Sequence, residues 1–269
     1  MELDAPTRWK TLDFVSDLHL QDSSPRTLQG FIDYLDKTPA DAVFVLGDLV
    51  EYWIGDDWIE APQDAHRRCF DALARAGARL NLYIMRGNRD FLMGPRLMRA
   101  CQAQDLPDPT TLVFGGQRIV LSHGDGLCTG DTRYQEFRRV SRSPDWQRDF
   151  LSEPLAGRKD RMLGMRAQSE ANKKASTEFF DVDNRAALAL LQACRSHTLV
   201  HGHTHLPDCH SLSAQHVRWV LSDWDLDAAT PRASVLRLSA GTPGTAGAAA
   251  TTPALHWERL DPASAAAAP

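Results

Sequence analysis

The sequence predicts an α/β fold that carries one inserted helical segment. Apolar runs of strand length alternate with stretches of helical periodicity through most of the 269 residues. Five of these runs are followed within three residues by Asp, Asn or His, whereas residues 129–185 are helical in pattern and contain no such strand. Because ligands bind outside the carboxyl ends of strands in open α/β sheets, the five polar strand ends predict one functional site.

Run length and apolar spacing place the individual elements. The near-continuous apolar run at 41–46 is typical of a strand buried in a parallel sheet. Leu28, Phe31, Ile32 and Leu35 recur at helical spacing. Helices are predicted at residues 27–35 and 66–76. Strands are predicted at residues 11–16, 41–46, 80–85, 118–122 and 198–200, with closing strands at 217–221, 233–238 and 255–260.

The domain organisation predicted from these elements is a core with an insertion. The core comprises residues 11–128 and 186–261, and residues 129–185 form an inserted helical cap. We expect a loosely ordered lead-in at 1–10, a flexible Ala/Gly/Thr/Pro-rich loop at 239–253 and a disordered tail at 262–269. Trp53 and Trp58 lie beside acids in a predicted loop that either lines a pocket or packs internally.

Composition excludes several classes of protein. The 43% apolar content is ample for one large domain, and no run is long enough to cross a bilayer. The acidic start lacks an apolar signal core, so we expect a cytoplasmic location. Five cysteines without a CxxC pair indicate neither a disulfide framework nor a zinc ribbon. The net charge of −5 and the lack of a recognition motif give no support for nucleic-acid binding, and nothing implies an obligate protein partner.

The stretch Val200-His201-Gly202-His203-Thr204-His205 is the strongest functional signal. Residues two apart on an extended segment point the same way, so His203 and His205 can offer two imidazoles to one place. Gly202 lets the backbone come close. A lone histidine is usually an ordinary core or surface residue, but a cluster at a strand end favours a metal site.

The other strand ends supply further candidate ligands, each of which would be an ordinary turn residue if it stood alone. The complete predicted set is Asp17, His19, Asp48, Asn88, His123, His203 and His205. These oxygen and nitrogen donors, without a thiolate, suit Mn²⁺, Fe²⁺ or Zn²⁺ better than Ca²⁺. Seven ligands exceed the needs of one small ion, so we expect two divalent metal ions that share a bridging carboxylate, as in phosphoester hydrolases.

The same series of blocks resembles the calcineurin-like metallophosphoesterases. The matching blocks are Asp17-x-His19, Gly47-Asp48, Gly87-Asn88, His123-Gly124 and Gly202-His203-x-His205. Longer matches, such as Gly87-Asn88-Arg89-Asp90-Phe91-Leu92, resemble one branch, the UDP-2,3-diacylglucosamine diphosphatases of lipid A biosynthesis in Gram-negative bacteria. The resemblance covers about residues 11–226. It implies a layered β-sheet sandwich flanked by helices, with a helical cap.

The resemblance also implies how the metals are held, with Mn²⁺ as the expected ion. The first metal would take Asp17, His19, Asp48 and His205. The second would take Asp48, Asn88, His123 and His203, with Asp48 bridging. His201 is expected to orient its neighbours and not to bind metal.

Arg89 departs from the wider superfamily, in which many phosphatases have Gly-Asn-His at this point. A histidine there can act as a general acid, whereas an arginine stays charged and can bind phosphate oxygens through two donors. Arg89 therefore favours a diphosphate substrate, the alternative being a structural ion pair with Asp90. The expected catalytic residues are Asp48, Asn88, Arg89 and His123.

The implied reaction is attack of a metal-bound hydroxide on the α-phosphorus of UDP-2,3-diacylglucosamine, giving UMP and 2,3-diacylglucosamine 1-phosphate. The implied substrate contacts are Asn88, Arg89, Asp131, Tyr134, Arg166, Ser169, Asn172, Lys173, Lys174 and His203. The chain is one residue shorter than the family pattern within 166–174, which leaves the register of the last contacts open. Rival interpretations are a dinuclear phosphodiesterase or nucleotide pyrophosphatase with a soluble substrate, and a non-catalytic scaffold of the same fold.

The cap differs from the rest of the chain in charge. Residues 131–174 carry 11 Lys/Arg and 7 Asp/Glu, a local balance of +4 in a chain of −5. This is either a solvated helical face or a positive surface for anionic substrate or lipid. Apolar residues among the arginines fit an interfacial helix or pack the cap on the core. They are Phe137, Val140, Trp146, Phe150, Leu151, Leu155, Met162, Leu163 and Met165. With a lipid substrate, we expect peripheral attachment at the cytoplasmic side of the inner membrane.

Overall fold

Twelve strands and eight α-helices form the computed structural model, which describes residues 1–175, 180–241 and 254–267, without the side chains at 170 and 172–175. The strands are β1 Glu2–Asp4, β2 Thr11–Val15, β3 Ala42–Leu46, β4 Asn81–Met85, β5 Gln104–Leu106, β6 Thr110–Phe114, β7 Gln117–Ser122, β8 Thr198–His201, β9 Cys209–Ser211, β10 Val217–Val220, β11 Val235–Ala240 and β12 Leu255–Leu260. The helices are α1 Pro25–Lys37, α2 Asp64–Gly77, α3 Pro95–Ala100, α4 Thr132–Ser141, α5 Pro144–Ser152, α6 Leu155–Ala175, α7 Asn184–Ala193 and α8 Pro262–Ala267.

The strands form two six-stranded sheets that pack face to face. One has the order β12-β11-β2-β3-β4-β5 and the other β1-β6-β7-β8-β10-β9. Alternate residues of β2 and β3 point into the space between the sheets, where Phe14 stacks on Phe44 and Phe44 on Tyr83, with ring centroids 5.1 and 4.8 Å apart. This arrangement is the predicted layered sandwich.

Helices cover the outer face of each sheet. Val15, Val43 and Val45 point away from the sandwich and pack in one apolar cluster with buried residues of α1 and α2. On the other sheet, Val120 and Leu199 pack with buried residues of α7. Since β2, β3 and β4 are parallel, and β7 and β8 are also parallel, their carboxyl ends come out at common edges.

The cap helices α4, α5 and α6 pack on the core through a small aromatic cluster. Phe150 is fully buried and stacks on Trp146, whose ring lies 5.9 Å from that of Phe91 in the core. Met162 is also buried there. Phe137, Val140, Leu151 and Leu163 remain exposed. The apolar residues of the cap therefore divide between internal packing and an exposed surface.

The loop with two tryptophans is an internally packed loop. Trp53 and Trp58 are buried, and their rings lie 5.2 Å apart beside the buried His66. Burial without a charged partner in contact lowers the pKa of His66 to about 4. This loop, which leads from β3 to α2, thus contains a neutral cluster of aromatic rings.

The two chain ends differ from the sequence-based expectation. The predicted loose lead-in at 1–10 contains β1, which pairs in parallel with β6. The predicted disordered tail at 262–269 contains α8, in which Ala265 is buried and its carbonyl accepts a hydrogen bond from the Arg237 guanidinium at 2.8 Å. Most of the predicted flexible loop at 239–253 lies outside the described residues. None of the described helices combines the length and apolar content needed to cross a membrane.

A buried ion pair explains why the tail is held. Arg237 on β11 donates to both oxygens of Asp13 on β2, at 2.7 and 2.8 Å. The hydroxyls of Tyr34 and Thr38 donate to the same carboxylate, each at 2.8 Å. Every strong donor of this pair needs an acceptor because water is excluded, and the Ala265 carbonyl supplies one.

We expect Asp13→Ala to destabilise the fold by about 3–5 kcal/mol, because it leaves the Arg237 charge buried and unpaired. Urea denaturation would measure the loss. Asp36→Ala is the control, since it removes an exposed ion pair with Arg75, which is worth about 0–1 kcal/mol. Equal losses in the two variants would show that the buried pair has no special role.

Candidate metal centre

The predicted ligands come together where the carboxyl ends of both sheets meet. Asp17 and His19 follow β2, Asp48 follows β3 and Asn88 follows β4. From the other sheet, His123 follows β7, and His203 and His205 follow β8. Two groups of three donor atoms lie within 4.8 Å of one another, namely Asp17-His19-His205 and Asp17-Asp48-His123.

The first group points three donors at one position. The Nε2 atoms of His19 and His205 lie 3.4 Å apart, and they lie 3.9 and 3.3 Å from Asp17 Oδ1. That oxygen is buried and has no hydrogen-bond partner among the described residues. A buried carboxylate oxygen needs a partner, so this group fits a divalent cation.

The second group is organised around His123. Its Nδ1 donates to the Leu46 carbonyl at 2.9 Å, so its Nε2 faces Asn88 Oδ1 at 3.0 Å and Asp48 Oδ1 at 3.7 Å. Nε2 and Asn88 Oδ1 are both acceptors unless a cation or a second proton lies between them. Burial lowers the pKa of His123, but Asp48 and Asp17 outweigh it and raise that pKa to about 9. A metal ion would replace that proton.

Asp17 belongs to both groups, and Asp48, a member of the second group, also faces the first. One carboxylate oxygen of Asp48 lies 3.9 Å from His19 Nε2, and the other lies 3.7 Å from His123 Nε2. The arrangement fits the bridging role that the sequence predicts for Asp48. His203 lies beside the second group, with its ring centroid 5.1 Å from that of His123.

Most of the predicted ligands have a backbone conformation that is rare for residues with a side chain. The five with positive φ are Asp17 (53°), His19 (48°), Asp48 (54°), His203 (68°) and His205 (54°). Such strain persists where the surrounding structure enforces it, and it concentrates at functional sites. These sharp turns direct the ligand side chains that follow a strand toward the metal centre.

Two glycines are required by close approach. A Cβ atom at Gly87 would lie 2.1 Å from Asp48 Oδ1, and one at Gly202 would lie 2.4 Å from Asp17 Oδ2. The ligand carboxylates therefore pack directly against the backbone of neighbouring ligand loops. Backbone N–H groups also hold them, since His203 donates to Asp17 and Arg89 donates to Asp48, both at 2.8 Å.

His201 and Asp90 are occupied by other partners. Arg218 donates to His201 Nε2 at 3.2 Å, and His201 Nδ1 donates to the Gly202 carbonyl at 2.9 Å. Burial lowers the pKa of His201 to about 4, so the ring is neutral and has no atom left for a metal. The Asp90 carboxylate accepts from the N–H groups of Leu49 and Gly87. Among the described residues, Asp90 forms no ion pair with Arg89, which was the alternative role for that arginine.

Asp125 is a functional residue that the sequence reasoning did not single out. This fully buried carboxylate accepts hydrogen bonds from the Tyr134 hydroxyl, Arg138 Nε and Arg142 Nη2, all from the cap. Arg142 Nη2 also donates to the carbonyl of Gly87, next to Asn88. Asp125 thus attaches α4 to the metal centre. Its place two residues after His123 was the available signal.

Glu51 makes a second attachment and was also missed. One of its oxygens lies 3.0 Å from His19 Nδ1, and the other accepts from Arg166 of α6, which also donates to the Glu51 carbonyl. Burial raises the pKa of Glu51, but His19 and the nearby Arg89 and Arg166 outweigh it and hold that pKa at about 2. Asp223, 3.7 Å from His205 Nδ1, has a similar place beside the other histidine.

The predicted cap contacts are only partly at the site. Asp131 caps α4 by accepting the Tyr134 N–H, and the Tyr134 ring stacks on His203 with centroids 5.9 Å apart. Arg166 reaches the site through Glu51, whereas Ser169 is exposed. The side chains of Asn172, Lys173 and Lys174 lie outside the described part of the chain.

We expect Gly87→Ala to weaken Mn²⁺ binding by about tenfold or more, because the new methyl group displaces Asp48. Calorimetric titration of the metal-free protein measures the affinity. Gly164→Ala is the matched control, since a Cβ there has nothing within 4 Å. Wild-type Mn²⁺ affinity in Gly87→Ala would contradict the packing described for Asp48.

We expect Asp125→Asn to speed hydrogen exchange in α4 by about 10- to 100-fold, since hydrogen bonds to charged groups contribute about 1.5–3 kcal/mol. Glu136→Gln, which removes an exposed ion pair with Arg139 on the same helix, should leave exchange unchanged. An unchanged exchange rate in Asp125→Asn would mean that α4 is held by its other contacts.

Comparison with known proteins agrees with this geometry. A model of the calcineurin-like phosphoesterases matches residues 10–207. UDP-2,3-diacylglucosamine hydrolase of Chromobacterium violaceum is 45% identical over 221 residues, which are 79% of this chain and 90% of the relative. The hydrolase of that name from Aromatoleum aromaticum is 44% identical over 226 residues, 80% and 89% of the two chains. The predicted resemblance and fold class are thereby confirmed, and this chain belongs to the calcineurin-like phosphoesterase family, in the branch of these hydrolases.

Proposed function

We propose that this protein hydrolyses the pyrophosphate bond of UDP-2,3-diacylglucosamine and releases UMP and 2,3-diacylglucosamine 1-phosphate for lipid A synthesis. The observation that supports the proposal is a pair of candidate metal-donor groups that share Asp17 and are both faced by Asp48, with Arg89 at the position where a phosphatase of the wider family has histidine. The names of the relatives give the substrate.

The residues that would hold two divalent ions are those of the predicted set. They are Asp17, His19, Asp48 and His205 for one ion, and Asp48, Asn88, His123 and His203 for the other. Bound there, the ions would stabilise charge on the phosphate oxygens and lower the pKa of the attacking water. The nitrogen and oxygen donor set is compatible with Mn²⁺, the ion that the family resemblance implies.

The protein itself positions Arg89. The Arg89 N–H donates to Asp48 Oδ1, and its carbonyl accepts from the Trp53 N–H at 3.2 Å. These two bonds fix the backbone between the metal centre and the packed aromatic loop. A guanidinium held there can bind the oxygens of the departing phosphate, which leaves as an anion and needs charge stabilisation more than a proton.

The cap supports the choice of a lipid substrate and of a membrane surface. Six large apolar side chains are exposed among the described residues, and four of them lie on the cap: Phe137, Val140, Leu151 and Leu163. Exposed arginines such as Arg139 and Arg148 lie on the same helices. Apolar groups interleaved with cations favour binding at the anionic cytoplasmic face of the inner membrane.

The direct test is turnover of UDP-2,3-diacylglucosamine by metal-stripped protein with and without Mn²⁺, read as UMP. We expect UMP release that requires the metal and is lost in Asp48→Ala, which removes the shared ligand. Metal-dependent cleavage of bis-p-nitrophenyl phosphate without UMP release would favour a phosphodiesterase with a soluble substrate. Metal-independent turnover would contradict the proposed centre.

We expect Arg89→Ala to lower kcat/KM for the UDP-lipid by about 10²-fold or more, because it removes a donor from the developing phosphate charge. The loss should be smaller for bis-p-nitrophenyl phosphate, whose leaving group is already good. Arg75→Ala is the control, since that arginine of α2 forms an exposed ion pair with Asp36 of α1. Equal losses on the two substrates would remove the role assigned to Arg89.

A further inference from the structure

A small cavity opens beside the metal centre and is not explained by the cap. Its volume is about 280 Å³. The lining residues are Leu18, His19, Gln21, Ser23, Ser24, His205, Asp223, Trp224, Asp225, Asp227 and Arg232. Two of them, His19 and His205, are predicted ligands of the first metal, so whatever occupies the cavity is continuous with the reacting phosphate.

The cavity and the cap contact the metal centre through different residues. The cap reaches the centre at Gly87 through Arg142, at His203 through Tyr134 and at Glu51 through Arg166. None of the described cap residues lines the cavity. If the acylated sugar lies under the cap, the other half of a diphosphate substrate has to extend away from it, toward this cavity.

Size and polarity exclude the lipid half from the cavity. At about 280 Å³ it is at the small end of ligand pockets, which run from about 300 to 1,000 Å³, so it is too small for two acyl chains. An acyl chain would also lie against the carboxylates of Asp223, Asp225 and Asp227, and it would desolvate the partly exposed Asp225 without giving it a partner. A further phosphate would meet the same three carboxylates and be repelled. A neutral polar group with hydroxyl donors suits this wall.

Most polar groups of the wall are already bonded, and Asp225 keeps an acceptor. Asp227 accepts from the N–H groups of Arg26 and Thr27, and Asp223 accepts from Arg232 Nε. Asp225 Oδ1 accepts the Ala228 N–H, whereas Oδ2 lies 3.6 Å from Arg232 Nη2 and its side chain is 40% exposed. That carboxylate can accept from ribose hydroxyls, as acidic residues do in dinucleotide sites.

The wall is rigid before any ligand binds. The backbone N–H of Trp224 donates to the Asp17 carbonyl at 3.0 Å, and Asp225 and Arg232 exchange backbone hydrogen bonds of 2.8 and 3.1 Å. The guanidinium of Arg232 is about half exposed beside Asp225, so its planar face is available to stack on a base. A preorganised acceptor and a planar cation at fixed places suit a nucleoside.

We propose that this cavity binds the nucleoside of the substrate, with Asp225 on the ribose hydroxyls and Arg232 on the uracil ring. The assignment rests on the proposed function for the identity of the nucleoside. It makes the metal centre the boundary between two binding regions, one for the nucleoside in the core and one for the acylated sugar under the cap.

The test compares UMP with methyl phosphate, which carries the phosphate but no nucleoside, by calorimetry on the Mn²⁺-loaded full chain. We expect Asp225→Asn and Arg232→Gln each to reduce the preference for UMP over methyl phosphate by about five- to tenfold. Asp36→Asn and Arg75→Gln are matched controls, because that pair has similar exposure and lies between α1 and α2. The controls should keep the wild-type preference.

Hydrogen exchange gives a second, independent reading. Bound UMP should slow exchange at residues 223–232 and leave α4 unaffected. Protection of α4 in place of 223–232, or an unchanged preference for UMP in both cavity variants, would overturn the assignment. Both experiments measure binding and not turnover. If the cavity variants lose the preference for UMP but the wild-type protein does not cleave the UDP-lipid, the nucleoside site is supported and only the proposed substrate is rejected.

Discussion

The site depends on the close packing of two buried carboxylates, Asp17 and Asp48, against histidine rings. Burial penalises both charges, and the nearby His19, His123 and His205 offset that penalty. Without a cation, the proton on His123 supplies part of the compensation. Two buried carboxylates that lie close together need positive charge beside them. Two divalent ions can supply that charge in a smaller space than basic side chains would need.

The cap is attached to this centre by charged hydrogen bonds in addition to its apolar packing on the core. Asp125 and Glu51 are core carboxylates, and each accepts from arginines of the cap while lying next to a predicted ligand. The positive balance of residues 131–174 is therefore partly used inside the molecule. The sequence left two interpretations of this charge open, a solvated face and an anion-binding surface. Several of the arginines fit neither interpretation, because they bind carboxylates of the protein itself.

The two sides of the centre differ in ways that match the two halves of a UDP-lipid. On the cap side lie exposed apolar side chains, which are Phe137, Val140, Leu151 and Leu163. On the other side lie aspartates and hydroxyls around a small cavity. A substrate with one apolar and one polar half would bind such a site in one orientation. In the reverse orientation, the apolar half would meet polar groups and the polar half would meet apolar groups.

The sequence by itself determined the principal strands and the residues that follow them. Strand runs such as 41–46 are local patterns, and a ligand placed directly after a strand has its position fixed by that strand. The sequence also identified Arg89 as a departure from the wider superfamily and His201 as a supporting residue. These features could be read because their physical causes, strand burial and chain direction, act over a few residues.

Only the tertiary structure decided the rest. Glu51 meets Arg166 across 115 residues and Arg237 meets Asp13 across 224, and no local pattern announces such partners. The positive φ angles at Asp17 and Asp48 exist because neighbouring loops enforce them. The Ala-rich tail is docked on the core by the hydrogen bond from the buried Arg237 to the carbonyl of Ala265. In each case a buried polar group has to find its partner, and the folded chain as a whole determines which residue that is.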